Sequence, residues 1–462
     1  MAAAANSTEL WAASLFAAVN FPDARLATRA VKFVAALTAH PGDSIAGACE
    51  DAHQAKAAYR FIENERVTVA DILPSLAAAT ARNCAGQTRI LAIQDTTSFN
   101  FSALKATTGL GPLGVSGSSA QGIWCHTTLA ANESGKPVGV LHQELWTRAP
   151  ADRHKAQQRK TLPIEQKESM RWLNGVRMAH ARVAEQVCAH RPTLIHITDR
   201  EGDIAELFEE IRRQGGQAII RCRHNRIAEH PLKWAFAAVR AACCLGTIRV
   251  AVPRDKHPAR TARVEMRACR LQLPAHTAGE PPLELTLLEV WEPQPPAERE
   301  ALHWLLWTTL QVQTLAQAIQ VVTWYQCRWR IEDMHLALKS GYKVEELQFE
   351  TAERLEKLIT LLTPLAIRVV TLRDAVRERP EAPCTEVLSD PEWRTLQAYF
   401  DKQLPGPQQP APTLRQAALW IGRLGGHLGR KGDGLPGVRT LWIGFRDLER
   451  MTRLFQICRS FG

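Results

Sequence analysis

The stretch RILAIQDTTSFNF, Arg89 to Phe101, opens as an apolar run, reaches an acid at Asp95 and continues into hydroxyl side chains. A second run of the same design, TLIHITD, spans Thr193 to Asp199. Short apolar runs rich in β-branched residues read as strands. Each acid also has a local alternative. Asp95 followed by two threonines suits an Asx turn. Asp199 suits a helix N-cap or an ion pair with Arg200.

Working outward, GIWCHTTLAA and PVGVLHQELW are joined by the turn-like NESGK and predict a hairpin. IEQKESMRWLNGVRMAHARVAEQV and GDIAELFEEIRRQ predict helices before and after Thr193–Asp199, and QAIIRCR predicts a fifth strand. Three meandering strands, helix, strand, helix, strand is the order of an α/β ribonuclease-H-like fold. In that fold acids on the first and fourth strands, here Asp95 and Asp199, meet at one sheet edge. A later helix would complete the site, and YQCRWRIEDMHLALK, Tyr325 to Lys339, is the candidate. On one continuous helix advancing about 100° per residue, Tyr325, Arg328, Glu332 and Lys339 share an arc of about 60°. A carboxylate then stands between basic and phenolic groups, as expected of a metal ligand with phosphate-gripping neighbours. An ordinary amphipathic helix is the competing reading, because Leu336 shares the arc.

Between the fifth strand and that helix, GTIRVAVP, ARVEMRACRLQLP, LELTLLEVW and HWLLWTTL predict a β-rich insertion, at about residues 222–310 of a catalytic domain covering 76–375. The first 75 residues predict a helical module. Asp23 caps a helix running to about His40, with Arg25, Arg29 and Lys32 on one side and Leu26, Phe33, Val34 and Leu37 on the other. EDAHQAKAAYRFIEN predicts a second helix there. Beyond the Pro-rich RERPEAPC, residues 376–462 form a third, helical unit.

The chain has 462 residues and a net charge of +10, which favours an acidic partner such as nucleic acid. From Ala411 onward nine Lys or Arg stand against three acids, so this tail holds +6 of the excess. Eleven cysteines without a C-x-x-C pair argue for reduced thiols and a cytoplasmic protein. Cys125 and Cys188 read as core residues, and His335 reads as a single histidine without a partner. No apolar stretch is long enough for a membrane span.

Three carboxylates at one sheet edge can hold two divalent ions about 4 Å apart, and an all-oxygen site suits Mg2+. With these residues in place, the chain resembles the insertion-sequence-four family of cut-and-paste DNA transposases. The family signature Y-x2-R-x3-E-x6-K is met by Tyr325, Arg328, Glu332 and Lys339. IQDTTSFNF at Asp95 and TDREGD at Asp199 match its two aspartate motifs, and EQKESMRW, YRFIEN and GRKGDGLPG…LW also resemble it. The resemblance implies a catalytic and metal-binding triad of Asp95, Asp199 and Glu332, with two Mg2+ that Mn2+ can replace. It implies DNA contacts by Tyr325, Arg328 and Lys339 around a flipped base, with Trp304 filling the gap and Trp307 its neighbour and competitor. It assigns end recognition to Arg25, Arg29 and Lys32, and dimerisation to the C-terminal unit. The implied partners are duplex DNA with terminal inverted repeats, target DNA, and a second copy in a synaptic complex on the bacterial nucleoid. Two other classes compete: a ribonuclease-H-like nuclease without strand transfer, and a non-catalytic DNA-binding regulator.

Overall fold

The computed structural model describes the chain apart from residues 1–6, 41–43, 50, 115–118, 150–161, 253–259, 298, 403–405, 407–408, 431–432 and 461–462. Lys431 of the basic tail and part of the GRKGDGLPG block therefore lie outside the described residues. The amino-terminal part is helical: α1 (Ser7–Leu15), α2 (Ala24–Ala39), α3 (Ile45–Ala48), α4 (Ala52–Glu63) and α5 (Val69–Asn83). Asp23 caps α2 by accepting from the Arg25 backbone N–H, and Thr68 with Asp71 forms a reciprocal capping box on α5.

The central sheet starts with β1 (Arg89–Asn100), β2 (Gly111–Pro112), β3 (Gln121–Ala131) and β4 (Pro137–Trp146). After α6 (Met170–Gln186) come β5 (Thr193–Thr198), α7 (Ala205–Arg213) and β6 (Gln217–Arg221). β1 lies antiparallel to β3 and parallel to β5, and β5 is parallel to β6. Ile93 pairs with Ile197 in that parallel register, so two residues further on Asp95 falls beside Asp199. Because side chains alternate along a strand, both acids share the face of Leu91, Ile93, Ile195 and Ile197. Neighbouring strands are about 4.8 Å apart, which is why two acids 104 residues apart in sequence become neighbours.

After α8 (Ala235–Ala241), β7 (Cys244–Val252), β8 (Arg260–Leu273), β9 (Leu283–Trp291) and β10 (His303–Thr308) follow. They extend the same sheet, in the order β2-β3-β1-β5-β6-β10-β9-β8-β7, with β4 beyond β3. The segment read as an insertion is thus continuous with the core sheet, through antiparallel pairing of β10 with β6.

The expected single helix from Tyr325 to Lys339 is corrected. The structure has α9 (Leu315–Gln326), then α10 (Trp329–Leu336), then a π turn over Ala337–Gly341. At the junction Cys327 and Arg328 donate to carbonyls three residues back, both at 3.0 Å, while Tyr342 reaches five back to Ala337 at 3.0 Å. Tightening at one end and widening at the other removes the uniform pitch on which the shared arc depended. The junction is closely packed: a Cβ on Gly135, in the β3–β4 turn, would lie 2.6 Å from Cys327 Sγ.

The long α11 (Ala352–Glu378) crosses the acid-bearing face of the sheet, and α12 (Asp390–Asp401), α13 (Leu414–Leu424) and α14 (Val438–Ser460) pack at its end. Cys125 is buried, but Cys188 is exposed because α6 ends at Gln186, before it. No helix among the described residues is long and apolar enough to cross a membrane.

Candidate active site

Asp95 leaves β1 on the face covered by α10, and His335 Nδ1 lies 3.8 Å from its Oδ2. Burial pushes the Asp95 carboxyl up to about 7; Asp199 and Glu332 add to this, while Arg328 opposes it. Asp199, Glu332 and Arg328 thus all act electrostatically on Asp95. Asp199 follows β5 directly and caps a short 3-10 turn by accepting from the Glu201 backbone N–H at 2.8 Å. The N-cap alternative for Asp199 therefore holds alongside its place beside Asp95.

Glu332 stands in the first turn of α10 and pairs with Arg328, Oε1 to Nη2, at 2.6 Å. Arg328 is nearly buried, and despite that burial Tyr325, Glu332 and Asp95 together raise its pKa. Its guanidinium also lies 4.9 Å from the ring centre of Trp329, which is half exposed. Tyr325 is buried and meets Trp304 edge to face, with ring centroids 5.7 Å apart. Trp304 is partly accessible, whereas its neighbour Trp307 is wholly enclosed in the second core under α7 and α8. Lys339 sits in the π turn with its ammonium 5.6 Å from the Phe99 ring. Trp304, Tyr325, Arg328, Glu332, Asp95 and Asp199 thus form one connected group.

His335 lies over β1 near Asp95, at 3.8 Å and beyond hydrogen-bond reach. It follows Glu332 by three residues, so the two share a helix face. Burial and, secondarily, Lys339 hold its pKa down to about 3, so the imidazole is neutral. Its Nε2 is buried without a hydrogen-bond partner. The Glu-x-x-His spacing was the available signal for it, and the aromatic directly after Arg328 was the signal for Trp329.

The EQKESMRW block braces the outer edge of the sheet. Glu168 accepts from Arg148 at 2.6 and 2.5 Å, Arg148 lies over Trp124 at 3.9 Å, and Arg171 lies over Trp146 at 3.7 Å.

No group of three or more His, Cys, Asp or Glu among the described residues stands close enough to hold a metal ion. The Glu332 carboxylate is instead paired with Arg328. The donor set nonetheless fits a divalent cation: all ligands are oxygen, and the most buried acid is disfavoured as an anion until a positive charge joins it.

At the other end of the chain, Arg25 is exposed and held by Asp23 at 2.7 Å. Arg25, Arg29 and Lys32 line a groove of about 640 Å³ between α2 and the α3–α4 segment, together with His53.

Comparison with family models gives three matches that follow one another along the chain. Residues 8–67 match a transposase DNA-binding domain, 177–367 a transposase DDE domain, and 364–462 the transposase Tn5 dimerisation domain. Arg25, Arg29 and Lys32 fall in the first; Asp199, Trp304, Tyr325, Arg328, Glu332 and Lys339 fall in the second. Asp95 lies ahead of the DDE match and joins the site through its register with β5. The DDE domain carries a ribonuclease-H-like fold and divalent-metal chemistry, and the flanking domains make DNA and a second copy the partners. With DNA-binding, DDE and Tn5-type dimerisation domains in sequence, the chain belongs to the insertion-sequence-four family of Tn5-like transposases.

Proposed function

We propose that this transposase cuts and joins transposon ends at one site, with Asp95, Asp199 and Glu332 as the metal ligands and a DNA hairpin as intermediate. The parallel register that sets Asp95 beside Asp199, under the helix α10 that bears Glu332, is the observation that supports this reading. Two Mg2+, replaceable by Mn2+, would supply activation of the attacking oxygen and stabilisation of the leaving oxygen. Glu332 would exchange Arg328 for the ions, which frees the guanidinium for a phosphate.

A water oxygen would first attack the phosphorus at the transposon end, breaking its P–O3′ bond and freeing a 3′-hydroxyl. That hydroxyl would attack the phosphorus of the opposite strand to form the hairpin, expelling the 3′-oxygen of the flanking DNA. A second water would break the hairpin phosphodiester and regenerate the 3′-hydroxyl, which would then attack a target phosphorus and expel the target strand's 3′-oxygen. Arg328 and Lys339 would hold phosphates, Tyr325 would add a phenolic contact, and Trp304 would fill the space of a flipped base. Unstacking that base costs a few kcal/mol, which an inserted aromatic offsets in part. Trp329 offers a further stacking surface beside Arg328. Arg25, Arg29 and Lys32 would read the inverted repeat from the groove along α2. The working division is DNA binding in residues 1–75, catalysis in 76–375 with its β-rich segment at 222–310, and dimerisation in 376–462.

The test is cleavage of a labelled duplex bearing the gene-flanking inverted repeat, with Mg2+ or Mn2+. Wild type should give hairpinned ends, while Asp95→Ala, Asp199→Ala and Glu332→Ala should each lose at least a thousand-fold in cleavage, about 4 kcal/mol of barrier, and keep end binding. Simple nicks without hairpins would favour a nuclease, and binding without cutting would favour a regulator. Substantial cleavage by one variant would remove that residue from the site.

A further inference from the structure

Helix α11 belongs to both halves of the molecule. It begins inside the DDE match, whereas Arg373 and Asp374 lie beyond residue 367, in the dimerisation match alone. Both are buried, at 4% and 0% exposure. Arg373 Nη2 donates to Asp333 Oδ2 at 2.5 Å, and Arg373 Nε donates to Asp374 Oδ1 at 2.9 Å. Asp374 Oδ1 also accepts from Arg330 Nη1 at 2.9 Å. Arg330 and Asp333 flank Glu332 on α10 and, three residues apart, share one side of that helix. Arg330 further donates through Nε to the Gly135 carbonyl at 3.3 Å.

The far end of the same segment is held from the C-terminal unit too. Trp442 of α14 meets Tyr342 edge to face, with centroids 3.8 Å apart. A Cβ on Gly341 would come within 2.9 Å of the Trp442 indole. Lys339 lies between these two anchors, in the π turn.

Buried ion pairs are poor sources of net stability, because desolvation offsets their attraction. What they supply is orientation, since a guanidinium bonding two carboxylates tolerates little rotation. Turning α10 by one residue about its axis would break both the Arg330–Asp374 and the Asp333–Arg373 pairs.

We infer that Arg373, Asp374 and Trp442 are positioning residues through which the dimerisation unit sets the placement of Glu332 and Lys339. The inference rests on the roles proposed above for those two groups. In the full-length protein, the double variant Arg373→Met/Asp374→Leu removes both buried charges together while retaining side-chain bulk. Gly341→Ala independently forces the π turn away from Trp442. Each variant is compared with wild type and Glu332→Ala for hairpin formation, Mn2+ binding to the protein–DNA complex by electron paramagnetic resonance, end binding and thermal unfolding.

The expected result is at least ten-fold less hairpin and several-fold weaker Mn2+ binding, with end binding and unfolding temperature near wild type. Wild-type hairpin yield and Mn2+ affinity in both variants would overturn the inference. So would losses in cleavage that only parallel losses in unfolding temperature and end binding, because that pattern is merely structural. Should the double variant not fold, Gly341→Ala decides the matter by the same two readings. Cleavage by Glu332→Ala would instead sink the role of Glu332 itself, whichever way the positioning variants behave.

Discussion

Asp95 shows how one residue can be legible in sequence as a site and illegible in its energetics. Its place at the end of an apolar run marked it, but its carboxyl reaches about 7, from the ordinary 3.8, because the fold buries it beside two other acids. Between those values the folded chain holds a proton that the unfolded chain releases, so stability falls as pH rises across that window. Above about 7 the penalty is complete and is on the order of a few kcal/mol. Asp95→Asn should therefore unfold at a higher temperature than wild type at pH 8 without divalent ions, and lose that advantage at pH 4. An equal difference at both pH values would show that Asp95 does not carry this cost. His335 was unreadable for a related reason: its neighbour is 240 residues away in sequence, and only the fold of α10 onto β1 brings the two within 3.8 Å.

Among the elements, β1 and β5 were readable because their composition and their acids are local, although β1 runs on past Asp95 to Asn100 and only Asp199 stands at a strand end. Their parallel register, which sets Asp95 beside Asp199, is a tertiary fact. So is the chain of buried polar groups on the opposite face of β1. Thr96 Oγ1 lies 2.8 Å from His126 Nδ1, His126 Nε2 lies 3.0 Å from Gln94 Oε1, and Gln94 Nε2 lies 3.3 Å from His196 Nδ1. Gly175 of α6 leaves room for it, since a Cβ there would sit 2.4 Å from Gln94 Oε1. Gly175→Ala should destabilise the protein by about 1–3 kcal/mol, read from denaturant unfolding, through crowding of this buried polar network. A change under about 0.5 kcal/mol would mean that α6 can shift outward freely. The close approach of the Gly135 turn to Cys327 at the broken helix was likewise hidden, because it joins residues that no local pattern links.

Over the whole molecule, α11 ties the parts together. Lys357 is buried in it, yet its ammonium donates to the carbonyls of Ile62 and Asn64 at the C-terminal end of α4, at 3.3 and 3.0 Å, and pairs with Glu353 at 3.1 Å. A cation at a helix C-terminus complements the helix dipole. Lys357→Met should cost about 1–3 kcal/mol by stranding two carbonyls, and should speed proteolysis within residues 7–83 before the sheet is attacked. Uniform cleavage of both regions at the wild-type rate would show that the tie is dispensable. The sequence by itself determined the strand and helix order, the basic character of the tail and α2, and the identities of the acids, because each is written in local composition and spacing. Tertiary structure alone decided that the β-rich segment continues the central sheet, that α10 lies over Asp95, and that the C-terminal helices clamp the segment bearing Glu332. Those features depend on pairings between distant residues, where packing and desolvation choose the partners and local propensity has no say.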